Sequence, residues 1–165
     1  MRKNHWRSKK IRKKPYAIPA GASDHPLVGL GYAHFADELL LQEKELNIFF
    51  DTIILATCTG STQAGMIVGF AAQERKRKII GIDVADDVVM TRKAVTKIAY
   101  ATCDVIAAKG GKKINLSDDA IEINKNYSEP GYGLPSVKTI NAIRIAAELE
   151  LWSPILFMKE NLWQL

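Results

Sequence analysis

The sequence predicts an α/β fold: an open, mostly parallel sheet with helices on both faces. Three observations predict it. Phe50–Ala56 and Lys78–Asp83 are short apolar runs rich in β-branched residues, the pattern of buried parallel strands. Stretches with helical spacing of apolar residues alternate with them. The resulting order, β–α–β–α–β–α, is that of parallel strands joined by helical crossovers. In such folds ligands sit beyond the carboxyl ends of the strands.

Taken in order, Pro15–Pro19 reads as a short extended segment closed by proline, and Ala20–Gly31 as a glycine- and proline-punctuated loop. A helix follows. Tyr32, Phe35, Ala36, Leu39, Leu40 and Leu46 recur at helical spacing, with Asp37, Glu38, Glu43, Lys44 and Glu45 mostly on the other side. The first strand comes next, then a small-residue turn over Thr57–Thr62 and a helix from about Gln63 to Gln73. After the second strand, Asp86 and Asp87 start a long helix that Gly110-Gly111 stops. Residues 112–134 read as irregular, with a short strand at Ile121–Ile123. Pro130–Pro135 is a tight loop, and Ser136 caps a last helix.

With 165 residues, 47% of them hydrophobic, the chain has enough apolar material for a core. The net charge of +5 is unevenly spread. Residues 1–14 hold 8 of the 23 basic residues and no acid, so the remaining chain carries 15 bases against 18 acids. A basic head is joined to a mildly acidic body. That does not resemble a nucleic-acid-binding face, whose charge spreads over a folded surface. The head reads as solvated. No apolar run is long enough to span a bilayer, and no apolar stretch follows the head as in a secretory signal. Cys58 and Cys103 fit neither a disulfide framework nor a zinc motif, which points to a reducing cytoplasm.

The strongest local signal is Thr59-Gly60-Ser61-Thr62-Gln63-Ala64-Gly65, between a strand and a helix. Gly60 permits a tight turn, and the first-turn N–H groups of the helix have no intrahelical partner. With the helix dipole they suit phosphate. Thr59, Ser61 and Thr62 add hydroxyl donors. The plainer reading is that Ser61 or Thr62 only caps the helix. Gly65 and Gly69 read as a small face for close helix–sheet packing. Cys58 reads as a small buried filler, and His25 and His34 as surface residues. Asp83 ends a strand where a ribose-binding acid sits in dinucleotide enzymes, but the glycine fingerprint before it is wrong.

Three segments carry a resemblance: "YAIPAGASDHPLVGLGY" (16–32), "FFDTIILATCTGSTQAGM" (49–66) and "PGYGLPS" (130–136). They resemble 1-aminocyclopropane-1-carboxylate deaminase, with D-cysteine desulfhydrase as the close relative. The resemblance implies a tryptophan synthase β-like fold and pyridoxal phosphate as cofactor. It implies opening of the substrate's cyclopropane ring to 2-oxobutanoate and ammonia. It places Thr59, Gly60, Ser61 and Thr62 in the phosphate-binding loop, and Tyr132 beside the amino acid substrate as a catalytic group.

The family's Schiff-base lysine lies in a segment like "GNKxRKLE", and nothing here matches it. Nor is there a match to its "SNQ"-type carboxylate grip or its Asp-Pro-Val-Tyr-Glu segment; Leu151–Met158 stands in place of the latter. The expected organisation is a basic head (1–14), a truncated deaminase-like α/β domain (15–150) and a tail without family resemblance (151–165). Such a chain is expected to be inactive alone. The readings left are an enzyme fragment completed by an N-terminal half or a homo-oligomer, a module that holds pyridoxal phosphate without covalent attachment, and a remnant. No metal, membrane or specific nucleic-acid partner is expected.

Overall fold

The computed structural model describes residues 16, 22, 25, 27–85, 87–127, 130, 131 and 133–150. The head and the tail lie outside these residues, as does most of the extended segment expected at 15–19. The elements run α1 (Leu30–Leu46), β1 (Thr52–Thr57), α2 (Ser61–Ala72), β2 (Lys78–Asp83), α3 (Val88–Ala108), a 3-10 turn (Asp118–Ala120), β3 (Glu122–Asn124) and α4 (Val137–Glu150). Local chemistry sets their ends. Asn47 stops α1 at φ 52, a left-handed conformation that asparagine tolerates. The Asp87 carboxylate caps α3 by accepting from the Met90 N–H at 3.0 Å. At the other end the Gly111 N–H reaches back to the Ile106 carbonyl, and the Gly110 N–H to that of Ala107. This paired closure places Gly110 at φ 84, where a side chain is disfavoured. Ser136 Oγ accepts from the Thr139 N–H and caps α4 as expected.

The sheet has the order β1-β2-β3 and is parallel throughout, flanked by helices. Ile53 pairs with Ile79, Leu55 with Gly81 and Thr57 with Asp83, so one face carries the buried residues Thr57, Ile79, Gly81 and Asp83. A strand order without reversal sends successive right-handed crossovers to the same face. Helix α2 lies there, with α1 and α3 packed beside it. On the opposite face Ile54 is 65% exposed. The first strand is therefore not the fully buried strand its composition suggests, because it sits at the sheet edge with one face open.

Every residue from Gln63 to Phe70 is buried, so α2 is the centre of the domain. Its glycines face a helix, not the sheet. A Cβ at Gly65 would strike the Gly29 carbonyl and stand 2.6 Å from the Tyr32 Cβ; one at Gly69 would stand 2.8 Å from the Ala36 Cβ. The small-residue stripe thus admits α1, which corrects the helix–sheet expectation. Toward the sheet α2 presents Gln63, whose amide N–H donates to the Glu122 carbonyl at 2.8 Å. Gly81 leaves the room that side chain needs. Phe70 meets Phe35 of α1 edge to face, with ring centroids 6.4 Å apart.

Glu43, expected on the solvent side of α1, is buried. Its carboxylate accepts from Arg77 at 2.8 and 3.0 Å, from Arg75 at 2.8 Å and from the Phe50 N–H at 2.9 Å. Arg77 also donates to the Phe50 carbonyl. Its guanidinium lies 4.7 Å from the Phe49 ring centre and 4.5 Å from that of Phe70. One carboxylate thus ties α1, the segment before β1 and the segment before β2 together. The Arg77 hydrogen bond holds the carboxyl down to about 2; burial opposes this, and the Phe50 N–H and Arg75 assist.

A carboxyl held below its ordinary 4.5 contributes stability that is complete above that value and lost as pH falls toward 2. Glu43→Gln leaves Arg77 buried without its charge partner and is expected to cost about 3 kcal/mol in urea unfolding at neutral pH. The variant should also lose the acid-dependent part of its stability in that window. For the helix contact, Gly69→Ala is expected to cost roughly 1–3 kcal/mol through overpacking. Gly31→Ala, which meets open space, should be neutral or up to about 1 kcal/mol more stable in the same measurement.

Candidate functional site

The carboxyl ends of β1 and β2 lie side by side, and the Val84 N–H donates to the Thr57 carbonyl at 3.0 Å. From that edge the chain turns through Cys58, Thr59 and Gly60 into α2. Gly60 is the N-cap at φ 87 and has no side chain to offer the helix. No side chain caps this end, so the plainer capping reading of Ser61 and Thr62 is not what the structure has. The Ala64 N–H bonds to the Gly60 carbonyl at 2.9 Å. The N–H groups of Ser61, Thr62 and Gln63 precede the intrahelical ladder and face the loop.

Two constraints fix glycine at position 60. Its φ lies in the left-handed region, and α3 runs directly behind it. A Cβ there would stand 2.9 Å from Val95 Cγ2 and 3.0 Å from the Val95 backbone N. Val95 is fully buried. Sequence reasoning missed it; its place on the apolar stripe of α3 was visible, but not which loop it would back. Thr59 is exposed, and Ser61 and Thr62 are half-buried beside it. The loop therefore gathers Thr59, Gly60, Ser61 and Thr62 at one helix terminus with free donors and three hydroxyls. That arrangement can accept an anion.

Cys58 is exposed, not a buried filler. It follows Thr57, whose side chain turns inward, so strand alternation turns Cys58 outward. Cys103 is the buried thiol, and burial, with Asp104 nearby, pushes its pKa up. Asp83 is 1% exposed, and one carboxylate oxygen accepts from Thr91 Oγ1 at 2.8 Å and from the Ala85 N–H at 3.1 Å. It braces the start of α3. His25 accepts from the Leu27 N–H at 3.2 Å within its exposed loop, and His34 pairs with Asp37 at 3.4 Å on the surface of α1. Tyr132 lies outside the described residues. Its neighbours Gly131 and Gly133 have φ 145 and 77, and the Leu134 N–H closes the turn on the Gly131 carbonyl at 3.1 Å.

A cavity of about 680 Å³ opens at the other end of the sheet, among Phe70, Arg75, Lys78, Ser117, Asp119 and Glu122. Lys78 and Glu122 pair at 3.3 Å in its wall. It lies at the strand starts, away from the loop before α2. Among the described residues no cluster of acids, histidines and cysteines is suited to a metal.

Known proteins are similar to this chain. The chain is 50% identical over 137 residues to a 1-aminocyclopropane-1-carboxylate deaminase of Rhizobium leguminosarum bv. viciae, covering 83% of this chain and 39% of that protein. It is 49% identical over 137 residues to one from Methylobacterium sp. (strain 4-46), covering 83% of this chain and 40% of the relative. It thus spans about two fifths of the length of these relatives. The crystal structure of an ACC deaminase homologue shares the fold, with a TM-score of 0.73 and 24% identity over 87% of this chain and 41% of that one. Residues 2–152 match the pyridoxal-phosphate dependent enzyme family, and the chain belongs to it.

Proposed function

We propose that this chain forms the phosphate-gripping part of a pyridoxal-phosphate dependent 1-aminocyclopropane-1-carboxylate deaminase, which opens the substrate's ring to give 2-oxobutanoate and ammonia. The observation that carries this reading is the uncapped terminus of α2 behind Gly60. Donors and hydroxyls converge there, and the absence of a Cβ lets the loop lie directly against Val95 of α3. These residues fit the phosphate end of the cofactor. The N–H groups of Ser61, Thr62 and Gln63 would hold its oxygens, with the hydroxyls of Thr59, Ser61 and Thr62 as further donors. Val95 behind Gly60 fixes the loop so that little ordering is needed on binding. When bound, the cofactor supplies the electron-withdrawing chemistry that amino acid substrates require.

Tyr132, between two glycines of positive φ, is the residue we place beside the substrate. A phenol there can give or take a proton at its oxygen. The identity to two deaminases supports the substrate assignment, and their greater length supports the need for further residues. The reaction needs a lysine amine as nucleophile, and no segment of these 165 residues matches the one expected to supply it. We therefore infer that this polypeptide alone is inactive and that catalysis needs a complementing N-terminal half. The cytoplasm is the compartment we infer, where both free thiols stay reduced. No helix among the described residues is long and apolar enough to cross a membrane.

Purified polypeptide mixed with 1-aminocyclopropane-1-carboxylate and pyridoxal phosphate is expected to yield no 2-oxobutanoate; clear turnover would overturn the inactivity. Titrating the same protein with pyridoxal phosphate, followed by absorbance, should give saturable binding that dialysis reverses. Gly60→Ala is expected to weaken that binding at least about tenfold, or 1.4 kcal/mol. A variant that folds and binds as the parent does would remove the loop from the assignment.

A further inference from the structure

Asp83 ends β2 and holds a buried carboxylate that the anion site does not use. Both of its hydrogen bonds, from Thr91 Oγ1 and from the Ala85 N–H, go to Oδ1. Its Oδ2 is buried with no hydrogen-bond partner among the described residues. Thr57, its register partner at the end of β1, is buried too, and its Oγ1 is likewise unpartnered. Unpaired buried oxygens cost free energy that an apolar residue would not. Both stand at the sheet end from which the loop before α2 springs, which points to a role beyond packing.

Three supports of that loop meet at Asp83. It lies beside Thr57, two residues before Thr59, and the Val84 N–H next to it holds the Thr57 carbonyl. That pairing sets where the chain leaves β1. Through Thr91 it holds the start of α3. Thr91 is buried, and Val95 follows it by four residues, on the same helix face. Val95 is the residue that backs Gly60. Any slide of α3 along its axis moves Val95 against Gly60, and with Gly60 the N–H groups of Ser61, Thr62 and Gln63. One carboxylate therefore fixes both the origin of the loop and the wall behind it.

We propose that Asp83 is a positioning residue for phosphate binding. It meets no ligand itself. It acts through Thr91 and the end of β1 to hold the donors before α2 in the geometry an anion requires. The inference rests on the phosphate-gripping reading of that loop. Donors held by a rigid support lose little freedom when the ligand arrives, so loosening the support lowers affinity without removing a contact. The acceptor at Oδ1 matters here, and the charge does not. An asparagine keeps that acceptor and replaces the unpartnered Oδ2 with a donor.

The test titrates the purified chain and its variants with pyridoxal phosphate, followed by absorbance. Asp83→Ala is expected to weaken binding at least about tenfold while circular dichroism stays that of the parent. Inorganic phosphate, used as a competitor, should lose affinity by the same factor, since the effect lies at the phosphate end. Thr91→Val removes the hydroxyl, keeps the shape and should weaken binding about three- to tenfold; the double variant should be no weaker than Asp83→Ala, because both cut one connection. Asp83→Asn should bind within about twofold of the parent. Gly69→Ala disturbs the contact with α1 and should leave affinity within about twofold, a difference that a merely structural role for Asp83 would erase.

If Asp83→Ala unfolds the chain, Thr91→Val and Asp83→Asn decide. Parental affinity in a folded Asp83→Ala or in Thr91→Val would overturn the proposal. So would equal weakening by Gly69→Ala, or additive losses in the double variant. A parent chain that fails to bind pyridoxal phosphate would overturn the phosphate-gripping reading and this inference with it. A parent that binds, with variants that bind equally well, would overturn the positioning alone.

Discussion

Helix α2 is buried on every side, and that constraint organises the molecule. A helix enclosed by two helices and a sheet can be approached closely only where bulk is missing. Gly65 and Gly69 admit α1, Gly60 admits α3, and Gly81 gives the Gln63 side chain its place against the sheet. Interiors pack at crystal-like density, so each missing Cβ sets a distance that its neighbours depend on. The candidate site is a product of this crowding. The loop before α2 is held against Val95, and its donors stay at the surface because the rest of the helix is enclosed.

Charge takes over where small residues end. Beyond the glycine stripe, α1 reaches the end of the sheet at which the strands begin, and contact there is made through Glu43. A buried carboxylate without partners would be expensive. Here two guanidinium groups and a backbone N–H share it, and the arginine planes stack on Phe49 and Phe70. Lysine could not substitute at Arg77, because the delocalised plane both forks onto the carboxylate and lies between the rings.

Much of this was legible in the sequence. Strand β2 has the bounds its apolar run gives, and the Gly110-Gly111 stop and the Ser136 cap follow from local chemistry that needs no tertiary context. The turn into α2 was legible for the same reason. What was not legible depended on partners far along the chain. Glu43 lies among charged residues, and only the Arg75-Lys-Arg77 segment 32–34 residues later shows why it is buried. The glycines of α2 announced a close approach without saying whether helix or sheet would fill it. The composition of β1 announced burial, but its open face depends on what lies beside it.

The wiring of Glu43 also bears on the order of assembly. The contacts it makes and the Gly29–Gly65 approach both close within residues 29–77, a short span for an α/β domain. Loop-closure entropy is lowest for such near neighbours, so α1, β1 and α2 form the portion whose contacts come at the least cost in chain entropy. β2 then adds directly, since Lys78 follows the arginine that has already bound. The Val95 wall behind Gly60 closes over a like separation, and only β3, paired with β2 across more than forty residues, closes a longer loop. The anion cradle thus belongs with the near-neighbour contacts, so occupancy of the loop would report the packing of α3 behind α2 and not completion of the sheet.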